Sequence, residues 1–231
     1  KPSVMAGHSL GEYSALVASG VVSFKDAVPL VRFRAEAMQS AVPVGTGGMA
    51  AILGLEDAIV IEVCASASTQ SGKIVEAVNF NAPGQIVIAG ASEAVTKACE
   101  LLKAAGAKRA LPLPVSAPFH SSLLKPASEK LKTYLENIEF HVPTIPVINN
   151  VDVSILDNPA AIKDALVRQA AKPVRWQETI RAMSARGVGQ VVECGPGKVL
   201  AGLTKRIDDQ LQGMALMDEA SLMEVMQTLK S

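Results

Sequence analysis

PSVMAGHSLGEYSALVA, residues 2–18, is the stretch that decides how the rest of this 231-residue chain is read. Residues 2–8 have the character of a buried strand running into a sharp turn. The segment 10–18 reads as a helix, with Leu10, Ala15, Leu16 and Ala18 as its small and apolar contacts. Between them, Gly7-His8-Ser9-Leu10-Gly11 matches G-x-S-x-G, the pattern of a nucleophile elbow. The physics asks for this spacing. A serine at the tip of a tight strand-to-helix turn sits on strained backbone, and flanking glycines let strand and helix approach without Cβ clashes. The helix N-terminus then aims N–H groups at a developing oxyanion, with the backbone N–H of Leu10 as the expected donor. A purely structural turn would satisfy so short a pattern; the strand before it and the helix after it favour a nucleophile.

Outward from the elbow, strands and helices alternate. Ser23 is placed to cap a helix over 24–39, and the run VPVGTGG at 42–48 is a break. A strand at 49–55, a helix at 56–68 and strands at 75–80 and 85–89 follow, the last two around an Asn-Ala-Pro-Gly turn at 81–84. A helix at 92–106 has Ser92 as its cap and Gly106 as its stop, and a strand at 108–115 closes the series. The order βαββαβ is the ferredoxin-like pattern, and it predicts an inserted subdomain over 45–115. Beyond it, helices are predicted at 122–138, 160–171, 176–186 and 198–211, and strands at 143–149 and 189–194. The fold class expected is α/β. Residues 1–44 and 116–231 would form a hydrolase-like parallel-sheet core covered on both faces, with the ferredoxin-like subdomain inserted between them.

Composition narrows the function classes. Hydrophobic residues make up 49% and charged residues 19%, which argues against disorder. The 22 basic and 22 acidic residues cancel, so no global basic field for nucleic acid exists. Three cysteines, an odd number without a CxxC spacing, argue against a disulfide framework or a zinc site and for a reducing, cytoplasmic compartment. No apolar run reaches the roughly 18 residues that would span a bilayer, and no signal peptide is visible. The expectation is a monomer with no metal, no cofactor, and neither membrane nor nucleic acid as partner. Lys1 is not a start methionine and the first motif begins at Gly7, so an N-terminal portion is expected to be missing.

A nucleophilic serine needs a base. His8 lies inside the elbow, where its ring would point away from the Ser9 hydroxyl and line the pocket. His141 reads as a surface or loop histidine. His120, in Ala-Pro-Phe-His-Ser-Ser at a strand end, is the favoured base, against a packing role. Between Ser9 and His120 the only aspartates are Asp26 and Asp57, both at helix starts where capping explains them. A dyad, or a histidine oriented by a backbone carbonyl, therefore fits better than a full triad. Arg34 sits among small and apolar residues, which predicts partial burial. A buried guanidinium wants a carboxylate partner, either Glu36 or another acid of the protein, or one carried by a substrate.

Taken together these stretches resemble the malonyl-CoA:acyl carrier protein transacylases. The resemblance spans the chain and is carried by GHSLGEYSALVASG (7–20), RFRAEAMQ (32–39), NFNAPGQIVIAG (79–90), APFHSSL (117–123), NNVD (149–152), VRQ (167–169), PVRW (173–176) and ECGPGKVLAGLTKRI (193–207). It implies a ping-pong transfer of malonyl from malonyl-CoA to acyl carrier protein, for fatty acid or polyketide synthesis. In that scheme Ser9 takes the acyl group, His120 is base and then acid, and the main-chain carbonyl of Gln169 orients the histidine. Arg34 binds the malonyl carboxylate, while His8, Met38, Asn79, Asn81 and Phe119 border the acyl group. The Gly-Gln-Gly-Ser-Gln motif near the start of such enzymes, whose last glutamine supplies a second oxyanion N–H, does not occur here. An acidic carrier protein would meet Lys108 and Arg109 on one lip and Lys205 and Arg206 on another, although solvated helix and strand ends explain these cations equally well. A serine hydrolase or thioesterase, or an inactive incomplete fragment, are the rival readings.

Overall fold

The computed structural model describes residues 1–115 and 117–229. In chain order the elements are β1 (Met5–Ala6), α1 (Leu10–Ala18), α2 (Phe24–Gln39), β2 (Gly47–Leu53), α3 (Asp57–Ser71), β3 (Val75–Ala82), β4 (Gln85–Ala91), α4 (Ser92–Ala104) and β5 (Arg109–Pro112). A 3-10 turn (Ser122–Leu124) leads into α5 (Lys125–Glu136), followed by β6 (Val147–Ile148), α6 (Pro159–Gln169), α7 (Trp176–Ser184), β7 (Gln190–Cys194), α8 (Val199–Ile207), β8 (Gln212–Leu216) and α9 (Glu219–Thr228). The architecture is mixed α/β and divides into two compact units, Lys1–Trp176 and the residues from Gln177 onward.

In the first unit, β2 to β5 form an antiparallel sheet in the order β3-β4-β2-β5, threaded as β2-α3-β3-β4-α4-β5. The period-2 alternation of strands explains its two faces. Ala50, Ile52, Ile86 and Ile88 pack with Val60, Cys64 and Ala67 of α3 and with Ala94, Ala98 and Leu102 of α4. The intervening Met49, Val87 and Ala89 turn to the other face, where Val78 joins them and Leu113 and Phe119 pack against them. Two expectations change here. Ser92 does not cap α4 through its side chain; it is the first helical residue, and its hydroxyl donates to the carbonyl of Gly45. The closing strand is confined to four residues, β5.

A second core joins α1, α2, α5 and α6 through Tyr13, Leu16, Leu30, Leu131, Leu135 and Leu166. Here α2 keeps its predicted bounds because Ser23 accepts from the backbone N–H of Asp26, satisfying a first-turn donor. Two parallel residue pairs, Met5 with Val147 and Ala6 with Ile148, tie β1 to β6. The strand predicted at 143–149 shrinks to β6 because Pro143 and Pro146 have no N–H to offer a ladder; Pro146 contributes only its carbonyl, to the N–H of Met5. Among the described residues the parallel ladders are β1-β6 and β7-β8, with an isolated parallel bridge between Asn79 and Val174.

The second unit holds β7 and β8, paired in parallel over five residues. The helix predicted at 198–211 ends at Ile207, and two elements follow that the pattern does not anticipate. These are β8, too short for a visible period, and α9, opened by a capping box between Asp218 and Ser221.

Candidate active site

The elbow forms as the motif requires. Ser9 has φ of 53° and ψ of −107°, a left-handed backbone that costs a non-glycine residue roughly 1–3 kcal/mol. A Cβ on Gly7 would lie 1.9 Å from the carbonyl carbon of Gly11, so position 7 admits only glycine. Gly11 itself faces open space; it is approached and does not need the room. The strain at Ser9 is held from outside. Asn150 lies just past β6, and the β1-β6 register brings it beside the turn. Its Oδ1 accepts from the Ser9 N–H at 2.8 Å and its Nδ2 donates to the Gly7 carbonyl at 2.8 Å. Both sides of the strained residue are thus clamped by one buried side chain. The N–H of Leu10, first in α1, has no acceptor within its own helix.

His120 follows β5 in a tight turn, also with positive φ, 65°. Its Nδ1 lies 2.8 Å from the main-chain carbonyl of Gln169, the last residue of α6. A carbonyl only accepts, so Nδ1 carries the proton and Nε2 is left as an acceptor. Nε2 stands 2.7 Å from the Ser9 hydroxyl, which donates to it. The final carbonyls of a helix lack intrahelical partners and carry partial negative charge, which favours the cationic ring once it forms. In the resting state burial, followed by the charge of Arg34, lowers the His120 pKa to about 3, while the bond to Gln169 opposes this. The ring is held neutral.

Arg34 is 6% exposed, on α2. One terminal nitrogen donates to the Ser9 hydroxyl at 2.8 Å and to the Gln169 side-chain oxygen at 3.1 Å. The guanidinium carbon lies 5.4 Å from the centre of the Tyr13 ring, a cation–π distance. The expected protein partner Glu36 pairs instead with Arg32, both exposed. Among the described residues no carboxylate hydrogen-bonds Arg34, and its Nε is buried without an acceptor.

The other expected residues are distributed around this centre. His8 Nε2 sits 2.9 Å from Asn81 Oδ1, and its ring lies 5.5 Å from that of Trp176. Burial lowers its pKa, with the Asn81 bond opposing. Phe119 packs both with Met38, in a cluster shared by Leu124 and Ala127, and with the face of the sheet around Met49. Asn79 bridges to Val174 through its backbone, and its side-chain oxygen is buried without a donor. Lys108 and Arg109 are exposed at the start of β5, and Lys205 and Arg206 are exposed on α8. Among the described residues no cluster of His, Cys, Asp and Glu could hold a metal ion, and no helix is long and apolar enough to cross a membrane.

Two residues were not foreseen. Asn150 is one. Glu12 is the other: 2% exposed, it accepts at Oε2 from the Asn150 N–H and from Gln169 Nε2, both at 2.9 Å. Burial raises its pKa to about 7, with those bonds and Arg34 pulling the other way. An acid among small and apolar residues of a helix, three places after a candidate nucleophile, is the one signal that could have found it.

Comparison with known proteins gives the chain a family. The family described as "Acyl transferase domain" matches residues 1–228. The malonyl CoA-acyl carrier protein transacylase of Salmonella typhimurium is 57% identical over 221 residues, 96% of this chain and 71% of that protein. Among solved structures, the acyl-carrier-protein S-malonyltransferase of Burkholderia pseudomallei superposes with a TM-score of 0.96 at 65% identity, covering 98% of this chain and 73% of that one. A malonyl-transacylase solved with its type II PKS acyl-carrier protein superposes with a TM-score of 0.96 at 54% identity, covering 99% and 73%.

Proposed function

The chain belongs to the acyl transferase domain family, and from that premise we propose that it moves malonyl from malonyl-CoA to the phosphopantetheine thiol of an acyl carrier protein through a malonyl ester on Ser9. The observation that carries this reading is Arg34: a buried cation on the Ser9 hydroxyl, with no carboxylate of the described residues hydrogen-bonded to it. A buried guanidinium left in that state is costly, and an acyl group ending in a carboxylate relieves it. A neutral acyl group does not, which makes the same residue a filter against acetyl and longer chains.

Each step follows from donors and acceptors. The Ser9 hydroxyl passes its proton to His120 Nε2 as its oxygen attacks the thioester carbon. Charge gathers on the carbonyl oxygen, near the start of α1, where the Leu10 N–H is the candidate donor. The carbon–sulfur bond breaks and coenzyme A leaves as a thiol with the proton from His120. The carrier's thiol then gives its proton to His120 Nε2 and attacks the malonyl ester, and Ser9 recovers that proton as it departs. Throughout, Gln169 holds the ring from Nδ1 by its backbone.

His8, Met38, Asn79, Asn81 and Phe119 form the proposed border of the acyl site, and Lys108, Arg109, Lys205 and Arg206 are the cations offered to an acidic carrier. We read 45–115 as a ferredoxin-like subdomain, supported by its strand order, set into a hydrolase-like core of 1–44 and 116–231; positions 116, 230 and 231 lie outside the described residues. The product serves fatty acid or polyketide synthesis, in a cytoplasmic monomer.

Intact mass spectrometry after mixing with malonyl-CoA tests the reading. One malonyl adduct is expected, absent in Ser9→Ala and lost to added acyl carrier protein. A folded chain that takes no adduct sinks it.

A further inference from the structure

We infer that Glu12 is a positioning residue of the acyl-carboxylate subsite, acting through the side-chain amide of Gln169 to hold Arg34 against the nucleophile. The inference rests on the assignment of Arg34 to the acyl carboxylate.

Gln169 is fully buried and does two separate things. Its backbone carbonyl holds His120. Its side chain is therefore free for another task, and that side chain spans Glu12 and Arg34. Gln169 Nε2 donates to Glu12 Oε2 at 2.9 Å and to the Ser9 carbonyl at 3.0 Å, while Gln169 Oε1 accepts from Arg34 at 3.1 Å.

An amide has a sense, and something must choose it. A carboxylate offers only lone pairs, so the Gln169 amide can turn only its NH2 toward Glu12, and its oxygen is thereby turned to Arg34. The Asn150 N–H, on the same carboxylate oxygen, stops Glu12 from rotating away. Asn150 thus anchors both the strained elbow and the acid behind it. With glutamine at position 12 an NH2 is also on offer, so the sense of the Gln169 amide is left to the Ser9 carbonyl and Asn150 Oδ1, at 3.0 and 3.4 Å. In the flipped sense two NH2 groups face each other and the guanidinium is driven off its seat. The negative charge nearest to the guanidinium through this relay is lost as well.

The test is Glu12→Gln in the whole chain, assayed for Ser9 acylation by malonyl-CoA and by acetyl-CoA under conditions where Glu12 is ionised. The ratio of kcat/KM for malonyl over acetyl is expected to fall about tenfold, mainly through a higher KM for malonyl-CoA, with the acetyl rate kept within about twofold. Equal losses for both substrates would reduce Glu12 to a structural role. A ratio that holds or rises would overturn the inference too, since Glu12 would then be idle or would merely repel the acyl anion. Gln169→Met, which keeps the main-chain carbonyl, guards against a Glu12 variant that does not fold: the ratio must fall in it also. In the double variant the ratio must drop no further than in the worse single variant, and additive losses would show that Glu12 does not act through Gln169. A wild-type chain without preference for malonyl would bring down the Arg34 assignment and this inference with it. A wild-type preference that survives Glu12→Gln brings down Glu12 alone.

Discussion

The sheet of β2 to β5 and the ground beneath Ser9 are made of opposite materials. In the sheet, neighbouring residues alternate between two apolar faces, and Ile52, Ile86 and Ile88 are sealed against two helices. Its contacts are many, weak and interchangeable. Beneath Ser9, Glu12, Asn150 and Gln169 are each 2% exposed or less, and each is held by bonds of 3.4 Å or shorter to partners far away in the chain. There the contacts are few, directional and specific. The lesson is that one region supplies free energy and the other spends it, on positive φ at Ser9 and His120 and on buried polar groups.

The comparison breaks first at the largest effect. His120→Ala removes the acceptor of the Ser9 proton and should slow Ser9 acylation about 10⁴-fold or more, about 5.5 kcal/mol in the barrier, with the melting temperature little changed. Rapid-quench mass spectrometry reads the rate. A loss under tenfold would mean that the polar ground is scaffolding after all. Ile88→Ala reverses the pattern: about 2–5 kcal/mol of stability lost by denaturant titration, and unaltered acylation per folded molecule. Should activity fall with it, the sheet and the site are not separable.

A pH series sharpens the contrast at a smaller scale. Glu12 titrates near 7 when folded against an ordinary 4.5, so the native state holds an extra proton between those values, and stability falls as pH rises through them. His120 titrates near 3 against an ordinary 6.5, so the unfolded chain holds the extra proton, and stability falls as pH drops below 6.5. From 4.5 to 6.5 these slopes oppose and nearly cancel. Glu12→Gln leaves the His120 slope bare, and relative to wild type it should lose roughly 3 kcal/mol between pH 6.5 and 4.5, at about 1.36 kcal/mol per pH unit. Urea midpoints at several pH values measure this, and parallel curves for the two proteins would refute it.

The same contrast explains what could be read in advance. Periodic apolar residues and local caps are properties of neighbouring letters, so α1 and α2 were legible to the residue and the strand-helix order of the sheet was legible with drifting ends. That Ser9 and His120 meet was legible because an elbow and a lone suitable histidine need no third dimension. Glu12 and Asn150 were not: they meet across 138 positions, and neither residue type alone announces the other. Arg34 was read as partly buried, but its seat on the Gln169 amide required coordinates. Beyond Ile207 the short β8 and the polar cap of α9 gave too little period to register.

The partner of His120 has one more consequence. It is a peptide carbonyl, an atom that all twenty residues carry alike, so no codon change at position 169 can delete it. The ring's orientation is inherited from the place where α6 ends and is indifferent to which letter stands there. From the acceptor's side, heredity can reach that hydrogen bond only by moving the helix terminus, with a proline, an insertion or a deletion nearby. The side chain at 169 can thereby serve Arg34 and Glu12 without disturbing the ring's alignment.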